Sequence, residues 1–541
     1  MTLKGGLEGG LRPLRGVRGG APDGAVPFDA TPLLRAATTL RLRQIERLDP
    51  AATQAALLRR LLRRAAQTRF GGTHGFAEIR DVADYQARVP LRRYEDFWRD
   101  WWQPDFPRLD NVTWPGRVPY LALSSGTTSG RTKYVPVTRE MVRANRGAAV
   151  DTLAWHLHAH PRSRVFGGLS FLLGGSTALE RVAPRGEAAV RQGDLSGIAA
   201  AEMPALLAPW SFPPRDLALL ADWDRKLDAL AEATPAERIR VLTGTPSWLL
   251  VLLERLAARH GTPPLPALEL LVHGGVAWAP YRGRFRPYLP PGCATREVYP
   301  ASEGFVAIAD RGDGEGLRLN LDRGCFFEFV PLEGLEAPNP RRHWAATLET
   351  GVEYAVALSS CAGLWAYVLG DTVRLLDRRP PRLLVTGRVS YDLSVFGEHL
   401  HGEELDAALL EATDAAGGVA VAEYTVGPSF RGARGLHRWL VEPAESPPGG
   451  DPDDSDLADR LAAALDAALS RRNADYAVHR GGGQLDAPEL VLLPPGSFAA
   501  WMRVQGRLGG QHKVPRVIAD PARFAAAEAS LRPPPAGSPE P

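Results

Sequence analysis

Short apolar runs alternate with amphipathic helical stretches through the middle of this chain, and that alternation leaves few folds open. Apolar runs lie at 120–123, 165–173, 239–242 and 269–273, with a helical pattern from Pro246 to His260 between the last two. Such spacing predicts an α/β fold built on a mainly parallel sheet with flanking helices. Between Phe326 and Leu376 the runs crowd together (FFEFVP, GVEYAVALSS, TVRLL), which predicts an added antiparallel or barrel-like subdomain. Upstream, residues 31–66 place leucines at helical spacing on either side of Pro50 and read as a helical pair. Past residues 385–391 the pattern changes to strands at 424–426 and 439–441, a Pro/Gly/Asp loop at 443–454 and a helix at 456–472. A chain of 541 residues exceeds what one core usually holds, roughly 250–300 residues. The expected division is a large N-terminal domain over 28–388 and a smaller, mobile α+β C-terminal domain over 389–530. Disordered segments are expected at 1–27, which is rich in Gly and Arg without an apolar stretch, and at 531–541, which is rich in Pro.

Composition narrows the function. No apolar run approaches the ~20 residues of a membrane span. A net charge of +2 points to neither nucleic acid nor anionic membrane as partner. Cys293, Cys325 and Cys361 form no CxxC pair, so a reduced, cytoplasmic protein is expected, acting on small molecules as a monomer. Arginine dominates the basic residues: Lys4, Lys133, Lys226 and Lys513 are the only lysines. A lysine inside a motif is therefore informative, because a compact ammonium on a flexible stem differs chemically from a guanidinium fork.

The strongest motif is LALSSGTTSGRTK (121–133). An apolar strand runs into a loop of glycines and hydroxyl residues closed by Lys133. Gly126 and Gly130 let backbone N–H groups turn toward an anion, Ser124, Ser125, Thr127 and Thr128 add hydroxyls, and Lys133 adds a point charge. This composition suits a phosphate, although the lysine does not stand where a Walker loop needs it. Three weaker segments follow: VHGGVA (272–277), which ends an apolar strand on paired glycines; YPASE (299–303), which joins a ring, a hydroxyl and a carboxylate; and YVLGD (367–371), which places Asp371 to meet ribose hydroxyls. Lys513 sits in the Gly-rich segment GRLGGQHKVPR (506–516), where a cation could order over a ligand.

In this order the motifs resemble the successive core motifs of the adenylate-forming superfamily. Finer stretches resemble one branch of it, the Gretchen Hagen (auxin-responsive) family of acyl-acid amido synthetases, bacterial type. These are SSGTTSGRTKYVPVT (124–138), TGTPSWLL (243–250), FFEFVP (326–331), GLWAYVLGDTVR (363–374), RRNADYAVHR (471–480) and GRLGGQHKVPR (506–516). The resemblance implies an adenylate-forming N-terminal domain under a C-terminal lid, with ATP and Mg²⁺ as cofactors. It implies that Ser124, Ser125, Gly126, Thr127, Thr128 and Lys133 hold the phosphates. Gly274, Gly275 and Val276 would pack on adenine beside Tyr299, and Ser302 would meet the α-phosphate. Glu303 would help to hold Mg²⁺, Asp371 would bind ribose with Arg388 close by, and Lys513 would reach the nucleotide or the acyl-phosphate. Lys133, Glu303 and Lys513 are the implied catalytic groups. Ser390 and Ser394 stand where superfamily members often carry Asp or Lys, and Ala366 stands where plant members usually carry Arg.

The implied reaction adenylates a carboxylic acid and then passes the acyl group to an amine, an amino acid above all. Candidates for the acid pocket are Thr245, Ser247, Trp248 and His273, the last equally readable as a structural histidine. The residues themselves leave two alternatives open: an acyl acceptor such as coenzyme A, and a non-catalytic nucleotide-binding relative.

Overall fold

The computed structural model describes residues 26–125, 132–174, 179–182, 189–220, 223–275, 278–335, 337–389, 393, 400, 402–431, 434–445, 455–481, 485–505 and 513–532. The N-terminal helical pair forms as Thr31–Glu46 and Pro50–Ala65. Asp49 accepts the Ala52 N–H at 2.8 Å, and Pro50 takes the first helical position, where no N–H is needed.

The strands, in chain order, are β1 (Tyr120–Ser125), β2 (Thr132–Val137), β3 (Leu169–Leu172), β4 (Glu180–Arg181), β5 (Arg191–Gly193), β6 (Ser211–Phe212), β7 (Ile239–Gly244) and β8 (Leu270–Gly274). They continue as β9 (Ala294–Ala301), β10 (Gly304–Ile308), β11 (Leu317–Leu319), β12 (Cys325–Pro331), β13 (His343–Trp344), β14 (Glu353–Ser360), β15 (Tyr367–Arg378) and β16 (Pro381–Arg388). Twelve of them join in one sheet, ordered β13-β12-β14-β15-β16-β11-β10-β9-β8-β7-β3-β6. From β9 through β8, β7 and β3 to β6 the pairing is parallel. From β9 in the other direction it is antiparallel, so the crowded strands of residues 326–376 extend the same sheet. A four-stranded sheet, β2-β1-β5-β4, stands apart.

Helices cover both faces of the parallel half, as a sheet of apolar runs requires. Leu249, Leu252, Leu253 and Leu256 of the helix Pro246–His260 pack with Phe171, Leu242 and Leu271 in one core. Ala148, Ala154 and Trp155 of the helix Arg139–Ala159 pack on the other face with Leu42, Ile45, Val241 and Val272. Beneath the antiparallel half, Arg342 pairs with the fully buried Glu328 at 2.7 Å, and Gln86 donates to the same carboxylate at 2.9 Å. That network fastens the N-terminal helices to the sheet.

Two further apolar cores draw only on residues from Leu393 to Leu531. They surround β17 (Val421–Arg431), β18 (Arg434–Pro443) and β19 (Glu489–Leu492), with helices Gly402–Ala415, Ser455–Arg472 and Pro521–Leu531. The RRNADYAVHR motif serves this architecture. Asn473 donates to Glu404 at 3.1 Å and accepts the Tyr476 N–H at 2.8 Å, while Arg480 grips Asp466 at 2.6 Å. Among the described residues no helix is long and apolar enough to cross a membrane.

Candidate active site

The sequence-derived candidates converge where the parallel half of the large sheet meets the antiparallel half. In such sheets the carboxyl ends of parallel strands open a crevice for ligands. β8 ends there on Gly274. A Cβ added at Gly274 would lie 2.2 Å from the Val298 carbonyl oxygen, so only glycine fits against β9. Gly275 then turns at φ +88°, in the left-handed region that favours glycine. Thr245, which precedes the helix Pro246–His260, borders the same spot: its hydroxyl lies 3.8 Å from where a Gly275 Cβ would stand.

β9 and β10 form a hairpin in which Ala301 pairs with Gly304, leaving Ser302 and Glu303 at the turn. Both are buried. Glu303 accepts a side-chain hydrogen bond from the Tyr367 hydroxyl at 3.1 Å, and its own backbone N–H also bonds to the carboxylate. Burial pushes its pKa up, while that backbone bond, Lys133 and Tyr367 oppose the shift. A buried carboxylate with no cation in direct contact is costly by itself and suited to one. Its chemistry fits Mg²⁺, which is commonly held by one or two carboxylates with the remaining ligands from phosphate and water. No cluster of three or more His, Cys, Asp or Glu that could hold a metal occurs among the described residues.

Asp371, on β15, has its carboxylate oriented by two partners. Tyr299 donates to Oδ2 at 2.6 Å, and Arg388, its cross-strand neighbour on β16, donates to Oδ1 at 2.8 Å. Burial and the adjacent Asp371 charge push the Tyr299 pKa well up, so the phenol keeps its proton and serves as a donor.

Lys133 enters from the small sheet. β1 and β2 pair antiparallel, with Ser124 opposite Lys133 and Ser125 opposite Thr132, so the hydroxyl-rich stretch joins two strands of a hairpin. Gly126, Thr127 and Thr128 lie outside the described residues, as do Val276, Ser390 and Ser394. The Lys133 ammonium lies over the Tyr94 ring, 5.4 Å from its centroid, and the Tyr94 hydroxyl accepts the Tyr134 N–H at 2.9 Å. One tyrosine thus steers both the lysine and its strand.

Lys513 reaches the crevice from the C-terminal domain. Its Nζ lies 3.5 Å from the position of a Gly275 Cβ. The residue as a whole is exposed, while its ammonium is desolvated where it sits over Gly275. That desolvation, with Arg388 beside it and Asp371 opposing, lowers its pKa to about 8.

The remaining pocket candidates are placed differently. Trp248 packs edge-on against Trp223 at 5.2 Å between ring centroids. Ser247 lies on the helix Pro246–His260. His273 is fully buried, stacked on Trp278 at 3.8 Å, with neither ring nitrogen hydrogen-bonded. Burial lowers its pKa to about 4, so it is neutral at pH 7. On the next strand, in register, burial raises Glu297 to about 7. Strand alternation puts His273 and Glu297 one pleat below Gly275 and Tyr299 on the same sheet face. Glu297 escapes sequence reasoning, as do Tyr94 and Tyr367; its only signal is its position two residues before the YPASE tyrosine.

Three family models match this chain: the GH3 family N-terminal domain over residues 41–176, the central domain over 319–388 and the C-terminal domain over 403–522. The chain belongs to the GH3 family. Among curated GH3 relatives, the probable indole-3-acetic acid-amido synthetase GH3.9 of Oryza sativa subsp. japonica is 32% identical over 245 residues, 41% of this chain and 54% of that one. The probable indole-3-acetic acid-amido synthetase GH3.4 of the same plant is 26% identical over 318 residues, 54% of this chain and 46% of that one. The matches thus span about half the length of those relatives. Likeness of structure runs further. The AtGH3.15 acyl acid amido synthetase in complex with 2,4-DB superposes with a TM-score of 0.73 at 15% identity, covering 92% of this chain and 96% of that one. 2-Hydroxyisobutyryl-CoA ligase in the postadenylation state reaches 0.53 at 17% identity, covering 94% of each chain. The fold is that of adenylate-forming enzymes, with a large N-terminal and a smaller C-terminal domain.

Proposed function

We propose that this GH3 protein is an ATP-dependent acyl-acid amido synthetase. The observation that carries the reading is the convergence of Lys133, Glu303 and Asp371, from three separate motifs, on one crevice that Lys513 reaches from the second domain. Amide synthesis is the chemistry named for the rice relatives and for AtGH3.15, and it is brought to this chain on the strength of those residues.

The nucleotide lies with its adenine along Gly274 and Gly275 beside Tyr299, its ribose on Asp371 and its phosphates over the β1–β2 hairpin. Glu303 would hold Mg²⁺, which when bound would supply positive charge to the phosphate oxygens. In the first half-reaction a carboxylate oxygen attacks the α-phosphorus, the bond from that phosphorus to the bridging oxygen breaks, and pyrophosphate leaves. Lys133 and Lys513 offset the charge that develops on those oxygens. In the second, an amine nitrogen attacks the acyl carbonyl, the C–N bond forms, and the C–O bond to AMP breaks. The C-terminal domain is the moving part between the two steps.

Exchange of labelled pyrophosphate into ATP tests this reading. It must depend on a carboxylic acid and must yield AMP and an amide once an amine is added. Exchange absent across a broad panel of acids would overturn it, and a thioester formed with coenzyme A in preference to an amide would move the protein to the acyl-CoA-forming ligases.

A further inference from the structure

Beside the phosphate hairpin stands a carboxylate that the reaction above does not use. β5 runs parallel to β1 with Gly193 opposite Ala122, so Asp194 emerges at the same end of the small sheet as Ser124 and its partner Lys133. Asp194 precedes the helix Leu195–Ala201 but makes no side-chain cap to it. Aspartate at that position ordinarily accepts an N–H from the first turn. Here the carboxylate is turned elsewhere: Oδ2 is buried without a hydrogen-bond partner, and so is the Ser196 hydroxyl two residues on.

Lys226 is the cation within electrostatic reach. Burial raises the Asp194 pKa to about 6 and the Lys226 charge opposes that rise. Lys226 is 2% exposed and donates to the carbonyl oxygens of Gly174 at 3.1 Å and Ala218 at 3.0 Å. Gly174 follows β3, whose neighbour β7 leads through Gly244 to Thr245 at the crevice. A lysine anchored next to the large sheet therefore acts electrostatically on a carboxylate at that end of the small sheet where Ser124 and Lys133 pair.

A carboxylate at the phosphate end of the small sheet would repel a triphosphate rather than bind it, so Asp194 has no favourable part in adenylation. The other substrate has the complementary charge, because an amine enters as an ammonium ion and must shed a proton before it can attack. We propose that Asp194 receives the ammonium group of the amine substrate and accepts one of its protons, with Lys226 as the residue that positions it. The assignment rests on the amide-forming reading. In balance, one N–H proton passes to the Asp194 carboxylate and the freed lone pair forms the C–N bond. The C–O bond to AMP breaks with its electrons on AMP, and a second N–H proton passes to the released phosphate or to solvent.

Three assays on the full-length chain test this in Asp194→Asn and Lys226→Met: acid-dependent pyrophosphate exchange, amide formation with an amino acid, and hydroxamate formation with hydroxylamine, which is neutral and already nucleophilic at pH 7. Amide formation should fall about 100-fold or more in Asp194→Asn, the lower range for a lost proton acceptor. Exchange and hydroxamate formation should stay within about threefold of wild type. Lys226→Met should show the same split, which a purely structural lysine would not, since its loss would lower all three. Equal loss of exchange and amide formation, or amide formation at the wild-type rate, overturns the assignment. A wild-type enzyme without exchange overturns the ligase reading, and this assignment falls with it.

Discussion

Two buried glutamates, both on the large sheet or its turns, differ in what the protein does for them. Glu328, in the middle of β12, is enclosed by Arg342 and Gln86, and its charge is fully matched. Glu303, at the β9–β10 turn, has its own backbone N–H, one tyrosine hydroxyl and an electrostatic pull from Lys133, but no cation in direct contact. The first arrangement holds helices on a sheet; the second leaves charge to be met by something the protein binds. The contrast separates architecture from function more clearly than burial alone, which is alike for the two.

The comparison breaks most visibly at Arg342. Arg342→Ala leaves a charged Glu328 alone in the core and should cost about 3–5 kcal/mol in urea unfolding. Replacing both partners, Arg342→Met with Glu328→Leu, should recover most of that loss. Lys133→Ala should behave oppositely. Pyrophosphate exchange should fall roughly 10²–10³-fold, with stability within about 0.5 kcal/mol of wild type. Equal damage to both quantities would erase the distinction between the two glutamates' surroundings.

Smaller effects sharpen the contrast. The Glu303 carboxyl, with its pKa raised in the folded state, holds its proton longer than in the unfolded chain. Its contribution to stability therefore falls as pH climbs from the ordinary carboxylate range toward the raised value. Glu303→Gln should flatten that fall, so unfolding midpoints should favour the variant more at pH 7 than at pH 4.5, while exchange loses its Mg²⁺ dependence. The mildest change is Lys513→Arg. A lysine with its pKa lowered to about 8 loses its charge as pH rises through that value, so exchange should decline on the alkaline side. Arginine keeps its charge there, and the decline should vanish in the variant.

Local patterns made much of this legible. Pro246–His260 forms at the expected ends because Pro246 opens it and Gly261 follows it at φ +82°. The hydroxyl-rich stretch falls between β1 and β2, and Asp371 lies close enough to Glu303 to act on it electrostatically. Other features depend on contacts that no local pattern records. Tyr94 lies 39 residues before Lys133 in an aromatic segment that reads simply as packing. The junction of parallel and antiparallel pairing at β9 depends on β10 and β11, strands of five and three residues whose partners are chosen by the sheet. Asp194 reads as an ordinary helix start until its missing cap is seen.

The scarcity of lysine has a practical consequence at the bench. Among the described residues Lys226 is sealed in the core, which leaves Lys133 and Lys513, both at the crevice, as the side-chain amines outside it. Within the described residues an amine-selective reagent therefore reports on the crevice. Bound nucleotide should be visible as protection of two peptides in a mass spectrum, before any product has been identified.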